Sequence, residues 1–300
     1  MHCIHFVKMQ ATGNDFVVID ACKMQRDWPE LARAMCQRRF GVGSDGLILV
    51  LPSDEADFRM RMFNPDGSEA EACGNGLRCF VRYVIEKGLT NVTDLRIETL
   101  AGIREAQAKA DLVRVAMGVP ELTPDKIPVK VDSTTVPVLD YPIKLKDTEI
   151  KASFISMGNP HAACFLNDPV ADFPLLDIGP QVERHPIFPN RTNFGIANVV
   201  SRGQLKARVW ERGAGETLSC GSGACAIAVA ARLHGLANDK IGVELPGGTL
   251  RVDWDGRGEV HLSGPAETVF EGEWRDQLSG GVEGYVNARQ YLGKDKVHAR

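Results

Sequence analysis

The sequence predicts an α+β fold: two pseudo-symmetric domains from an internal duplication, each a mixed sheet wrapped around a central helix. Three observations predict it. Residues 58–88 lie over residues 205–235 without a gap at a constant offset of 147, FRMRMFNPDGSEAEACGNGLRCFVRYVIEKG over LKARVWERGAGETLSCGSGACAIAVAARLHG. Two shorter blocks keep the same order, Gly13-Asn14 over Gly158-Asn159 at offset 145 and I-E-T-L-A-G (97–102) over V-E-L-P-G-G (243–248) at offset 146. Each long block also reads as strand, then turn, then helix. Small drifts in offset are what loop insertions produce, so two domain-sized copies follow rather than a short-period solenoid.

The elements can be justified in chain order. DWPELARAMCQRRF reads as a helix with Asp27 as its N-cap, and the strand-like LILVL comes after it. Between them GVGSDG (41–46) matches G-x-G-x-x-G, but a dinucleotide fingerprint follows a strand and opens a helix. The order here is reversed, so the segment is expected to be a plain loop. FRMRMF alternates apolar and charged residues as a half-buried strand does, and N-P-D-G (64–67) is a turn. A helix is expected from Cys73 to Lys87, capped by Gly88. Five prolines between 118 and 142 mark a connection. LKARVW then repeats the alternation, and a helix from Cys220 through the apolar CAIAVAA to Gly235 should be buried nearly all round. The expected boundaries are 1–122 for the copy carrying Cys73, completed by a strand near 266–276, and 123–265 for the copy carrying Cys220. Residues 277–300 are left as a Gly-rich, then charged, tail outside the repeat.

Composition removes several classes of function. A hydrophobic share of 44% and a charged share of 25% are ordinary for a globular protein, and 300 residues suit one large or two medium domains. A net charge of −4 argues against a nucleic-acid surface. No apolar run approaches the roughly 18 residues of a membrane span, and the N-terminus MHCIHFVKMQ lacks the apolar core of a signal peptide. The expected location is cytoplasmic. There the eight cysteines should be reduced, and the absence of C-x-x-C argues against a zinc ribbon. Most of them, Cys79 and Cys225 included, are expected to be small packing residues. No spacing of ligands completes a metal site around His161, so neither metal nor cofactor is expected.

Cys73 and Cys220 differ from the rest because each heads a helix in matched context. A thiol there feels the positive end of the helix dipole and free backbone N–H groups, both of which lower its pKa. The following G-N-G and G-S-G remove side chains where a ligand could approach the backbone, and a bare helix start binds carboxylates. Placed face to face about a pseudo-two-fold axis, two such thiols flank one ligand from opposite sides. Inversion at a carbon needs that geometry, with a base on one face and an acid on the other.

FVKMQATGNDF (6–16), NPDGSEAEACGNGLR (64–78), GNPH (158–161), TN (192–193) and ERGAGETLSCGSG (211–223) resemble, in order, the signature segments of the diaminopimelate epimerases, over roughly residues 4–276. The resemblance implies interconversion of LL- and meso-diaminopimelate without pyridoxal phosphate or metal, with Cys73 and Cys220 as the two bases. It implies that Gly74-Asn75 and Gly221-Ser222 hold the reacting carboxylate through backbone N–H groups. Asn14, Asn64, Asn159, Asn193, Glu211 and Arg212 would bind the substrate, Arg212 taking the distal carboxylate, and His161 and Glu211 would orient the thiols. Ala11, Gly46, Ser222 and Phe194 depart from the residues usual in that family. The expected partner is a small-molecule amino acid, with room for a homodimer and none for nucleic acid or membrane. The rival readings are racemisation of another amino acid, isomerisation of a double bond, a non-catalytic amino-acid binder and a thiol redox protein. C-G-N-G and Arg212 weigh against the first two, and conversion of substrate separates an enzyme from a binder.

Overall fold

The computed structural model describes residues 3–71, 73–133 and 135–275; the expected tail lies outside them. The first half runs β1 (Cys3–Ala11), β2 (Asn14–Asp20), α1 (Trp28–Met35), β3 (Gly46–Leu51), β4 (Phe58–Phe63), β5 (Glu69–Ala70), α2 (Gly74–Glu86), β6 (Asp94–Thr99), β7 (Gly102–Lys109) and β8 (Leu112–Gly118). The second runs β9 (Tyr141–Lys144), β10 (Glu149–Ser156), β11 (Pro160–Phe165), α3 (Leu175–Glu183), β12 (Asn193–Ser201), β13 (Gln204–Glu211), β14 (Gly215–Thr217), α4 (Gly221–Leu233), β15 (Lys240–Leu245), β16 (Gly248–Asp253) and β17 (Val260–Pro265). The chain closes on β18 (Glu267–Arg275).

The duplication is visible in the pairing. In one half the order is β18-β1-β2-β3-β4-β6-β7-β8, with β2–β3 and β4–β6 parallel. In the other it is β9-β10-β11-β12-β13-β15-β16-β17, with β11–β12 and β13–β15 parallel. Even the register is kept: Phe16 faces Gly46 as His161 faces Asn193. The halves meet where β8 pairs antiparallel with β17. β18 lies along β1 where β9 lies along β10, so the last strand returns to the first half.

Each sheet curls around one helix. α2 packs on β1, β2, β7 and β8, and α4 on β10, β11, β12 and β16. Both helices carry an almost continuous buried surface and share one core cluster, which joins Phe80 and Val84 to Ile227 and Val229. α1 and α3 cover the outer faces of β2–β3 and β11–β12 and form two satellite clusters. Strands covered on both faces carry near-continuous apolar runs, which is why GLILVL does not alternate. α1 begins on an Asp27 carboxylate that accepts from Glu30 N at 3.0 Å, as expected, but ends at Met35, sooner than the motif suggested. The proline-rich connection is not loose: Ile127, Val129 and Val138 are buried in the core beneath α3.

The turns that feed the site also repeat. Gly13 and Gly158 both have left-handed φ, 86° and 91°, and deliver Asn14 and Asn159 to the starts of the second strands. The Gly13 turn packs against the second half at Leu218 and Gly247, which are themselves joined by a bond from Gly247 N to Leu218 O at 2.7 Å. A Cβ on Gly247 would collide with the Thr12 carbonyl oxygen, and backbone cannot swing aside as a side chain can. Gly247→Ala should therefore cost about 2–3 kcal/mol of stability. Chemical denaturation of the variant against wild type measures it, and an unchanged midpoint would sink the packing account.

Candidate active site

α2 and α4 point their N-termini at each other across the β8–β17 seam. A Cβ added to Gly221 would lie 4.0 Å from Gly74 Cα, so the two helix starts are in near contact. In front of them is a cleft of about 260 Å³. Cys73 and Cys220 both line it, with Gly74, Asn75, Gly221 and Ser222 from the helix starts. Asn14, Asn159 and Glu211 complete the expected residues on its wall.

The glycines do more for packing than for ligand approach. A Cβ on Gly74 would meet Met117 Sδ at 3.0 Å, and one on Gly221 would meet Leu262 Cδ2 at 3.1 Å, on the two seam strands. Gly76 faces Met62 and Ile48, and Gly223 faces Val209. The bare surfaces let each helix start press onto its sheet. Once there, the first-turn N–H groups have no helical carbonyl to bond, and those not turned toward the sulfurs can meet an anion.

The expectation of depressed thiol pKa values is overturned. Burial pushes the Cys73 thiol up, and hydrogen bonds from the Gly76 and Asn75 backbone N–H groups pull against that without winning. Burial and then the Glu211 carboxylate hold Cys220 well above its ordinary value. Cys220 Sγ donates to Glu211 Oε2 at 3.1 Å and accepts from Gly223 N at 3.4 Å. Glu211 Oε1 is held in turn by the Thr217 hydroxyl at 2.5 Å. At both sulfurs desolvation, which disfavours the charged thiolate, outweighs the helix ends.

On the Cys73 side the partner is an amide. Asn14 Oδ1 accepts from Asn75 Nδ2 at 3.1 Å and from Cys73 Sγ at 3.8 Å, while Asn14 Nδ2 donates to Asp45 Oδ2 at 2.7 Å. Asp45 is tied by Arg38 at 2.6 Å, and Arg38 also grips Asp15, which the buried Lys8 ammonium contacts from behind. Burial works against the Asp15 charge, but hydrogen bonds from Arg38 and Lys8 outweigh it and hold that carboxyl below its usual range. This network draws Lys8 from β1, Asn14 and Asp15 from β2, Arg38 from the turn after α1 and Asp45 from GVGSDG, and no single motif signals it. Asn75 Oδ1 is buried without a partner, an acceptor left free at the junction.

Four expected residues do not line the cleft. His161 is buried and bonded to Asn159 Oδ1 at 3.0 Å, not to a sulfur. Burial, and then the charge of Arg212, hold it down to about 3, so it is a neutral ring that orients Asn159. Asn193 accepts from Arg212 N at 2.9 Å and donates to Pro160 O at 3.0 Å, fixing the turn that carries Arg212. The Arg212 side chain is exposed on Asn190 O, and Asn64 bonds Ser68 Oγ at 3.0 Å. Of the departures from the family pattern, Ala11 and Phe194 are core residues with no face on the cleft. Sequence reasoning missed Glu71, Arg104, Met117 and Met157 on the wall. Glu71, inside NPDGSEAEACGNGLR, and Met157, beside GNPH, had a motif to point at them; Arg104 and Met117 had none. Among the described residues no group of three His, Cys, Asp or Glu could hold a metal, and no helix is long and apolar enough to cross a membrane.

Glu211→Gln removes both the charge and the carboxylate acceptor that favour the neutral Cys220 thiol. Cys220 should then ionise at lower pH, and iodoacetamide should modify it about threefold or more faster at neutral pH, with Cys73 changing less. Peptide mass mapping of the two sites reads this directly, and a slower Cys220 would reverse the assignment.

The family model for diaminopimelate epimerase matches residues 6–123 and 153–269. A diaminopimelate epimerase of Moorella thermoacetica is 50% identical over 279 residues, covering 90% of this chain and 99% of the relative. One from Methanococcus maripaludis is 46% identical over 275 residues, covering 89% and 98%. Among solved structures, a hydroxyproline epimerase from Agrobacterium vitis with bound trans-4-hydroxy-L-proline superposes with a TM-score of 0.66 at 18% identity, covering 94% of each chain. A Bacillus anthracis phenazine biosynthesis protein of the PhzF family gives 0.66 at 19%, covering 92% of this chain and 100% of its own, a likeness of fold alone. With its two cysteine-headed helices meeting at one cleft and these relatives along nearly its whole length, the chain belongs to the diaminopimelate epimerase family.

Proposed function

We propose that this protein is an isomerase that interconverts LL- and meso-diaminopimelate by two-thiol proton transfer at the α-carbon, serving lysine and peptidoglycan precursor synthesis in the cytoplasm. The single observation that carries the reading is the shared cleft: two cysteines at the heads of two opposed helices, with nothing but a ligand-sized space between the copies. In this reading residues 1–122, with the strand near 266–276, form one working half and residues 123–265 the other.

The reacting carboxylate sits on the backbone N–H groups of Gly74-Asn75 and Gly221-Ser222, where both helix dipoles favour negative charge. The unpartnered Asn75 Oδ1 and the Asn14 and Asn159 amides offer polar contacts beside it. One cysteine, as thiolate, takes the α-proton from one face. The electron pair moves toward the carboxylate, whose growing charge meets preorganised donors. The opposite thiol delivers its proton to the other face, and the roles exchange for the reverse reaction. The resting thiols are protonated, so the substrate itself must help create the thiolate. Its α-ammonium brings a positive charge into a dry cleft, and a nearby opposite charge favours ionisation. Glu211 holds the Cys220 proton in line, and Asn14 does the weaker equivalent for Cys73. Arg212, carried on the turn that Asn193 fixes, takes the distal carboxylate. Asn64 stands at the equivalent strand end of the other copy, on the substrate's remaining side.

Three experiments test this. Purified protein should convert LL-diaminopimelate to the meso isomer and incorporate solvent deuterium at one α-carbon. Cys73→Ser and Cys220→Ser should each lower kcat by about a thousandfold or more with the fold intact, a hydroxyl being a far weaker base than a thiol. Near-normal turnover in either variant would end the two-thiol mechanism. Arg212→Ala should raise KM for diaminopimelate about a hundredfold, with Arg212→Lys a poor rescue because the paired donors are lost; unchanged kinetics would put the distal carboxylate elsewhere.

A further inference from the structure

Arg78 is a buried charge the mechanism above does not use. It lies on α2 one turn beyond Cys73 and is fully buried. Among the described residues no carboxylate forms an ion pair with it. Its guanidinium donates to neutral acceptors: Pro265 O at 3.2 Å, Thr12 Oγ1 at 3.2 Å and Gly74 O at 3.5 Å. An arginine stripped of water and given no anion is costly, and burial accordingly pulls its own pKa down. A charge retained at such cost calls for an anion that is present only part of the time.

Its placement says which anion. Pro265 closes the last strand of the second half, Gly74 opens the first catalytic helix, and Thr12 belongs to the turn before Asn14. The Thr12 hydroxyl lies 2.6 Å from Ser219 Oγ, on the residue preceding Cys220. Ser219 O in turn accepts from Asn75 Nδ2 at 3.2 Å. One guanidinium thus ties together the segments that carry both cysteines. The repeat supplies an independent observation. At offset 147 the equivalent of Arg78 is Cys225, a small buried residue on α4. Burial raises the thiols of Cys73, Cys79 and Cys225, and the Arg78 charge pulls the other way at all three. Cys225 therefore lies within the field of the guanidinium that occupies its own counterpart position. Two arginines at these addresses would repel each other at the seam; one serves both copies.

We infer that Arg78 is the shared counter-charge of the two-thiol site: a single buried guanidinium behind both helix starts that holds them in register and offsets the negative charge that appears there as thiolate and as enolate-like carboxylate. It is a positioning residue that acts through the helix starts without touching the ligand. The inference rests on the two-thiol reading of the cleft but not on the identity of the substrate.

The test uses the full chain with Arg78→Met and Arg78→Lys. Iodoacetamide modification of Cys73 and Cys220, mapped by peptide mass from about pH 6 to about pH 10, reads the thiolate at each site. In Arg78→Met both profiles should move to higher pH, Cys73 further than Cys220, with modification of Cys73 at neutral pH slowed about tenfold, one pKa unit being a tenfold change in thiolate. Turnover of LL-diaminopimelate should lose about a hundredfold in kcat with KM changed less than about threefold, the signature of a group that acts mainly in the transition state. Arg78→Lys keeps the charge and loses the fork, so its thiol profiles should stay near wild type while kcat falls about tenfold. If Arg78→Met folds with unmoved thiol profiles, or if Arg78→Lys moves them as far as Met does, the counter-charge is refuted. Should Arg78→Met fail to fold, the Lys profiles decide alone: unmoved supports the inference, moved overturns it. If wild type does not act on diaminopimelate, the proposed substrate fails while the modification profiles still judge Arg78.

Discussion

The structure depends on the antiparallel pairing of β8 with β17, because that seam brings two helix N-termini together. Two positive dipole ends facing each other are unfavourable without an anion between them. The fold accepts this arrangement and buries a guanidinium behind it as well. The junction is therefore a fixed positive pole in a low-dielectric setting, where charge interactions are strong and costly to leave unanswered. A carboxylate entering the cleft relieves that pole, and one gathering further charge during proton removal relieves it more. The same pole explains why the seam needs so much glycine: Gly74, Gly221 and Gly264 each touch a seam strand or Arg78 at distances a Cβ would crowd.

The resting thiols belong to the same balance. Helix ends alone argue for thiolates at neutral pH, but desolvation and the Glu211 charge dominate at the two sulfurs. This ordering has a chemical advantage. Two permanent thiolates would repel one another and the incoming carboxylate, and neither could act as an acid. In the proposed reaction, thiols held toward the protonated form would leave the choice of base to the substrate, whose stereochemistry would decide which sulfur faces its α-hydrogen.

The sequence made the halves legible because duplication repeats its local signals. Strand alternation in FRMRMF and LKARVW, turn glycines and cysteine-headed helices each recur at one offset, so every reading was made twice. The parallel pairs β2–β3 and β11–β12 were not legible, since both strands are covered on two faces and their apolar runs carry no register. In the site, the cysteines and the helix starts of the repeated motif fell where expected, Asn64 and Arg212 of the same motif did not reach the cleft, and contributors from outside it did not announce themselves. Asp45 and Arg38 act by orienting Asn14, and Arg104 reaches the cleft from a strand whose pattern reads only as surface. Desolvation was equally invisible, because a one-dimensional motif shows the helix start but not what closes over it. His161 was expected beside a sulfur, and its position next to Asn159 in sequence explains its partner better.

Duplication also explains how a symmetric frame handles an asymmetric reaction. Epimers of a molecule with two stereocentres are not mirror images; one centre inverts while the rest stays fixed. The frame supplies what must be equivalent on both faces: a thiol, a helix start, an asparagine delivered by a left-handed glycine. What must differ is placed at equivalent addresses with different residues. Glu211 of one copy is Asn64 in the other, which bonds Ser68 instead, so Cys220 has a carboxylate partner while Cys73 relies on the Asn14 amide. Arg78 becomes Cys225, so a single charge sits where two could not coexist. Pro65 becomes Arg212, which gives one copy alone a charged group at that address. Each exchange breaks the pseudo-two-fold in side chains while leaving strand order and register unchanged. The backbone symmetry therefore places the two cysteines on one cleft, and its local violations make the two sides of that cleft chemically different.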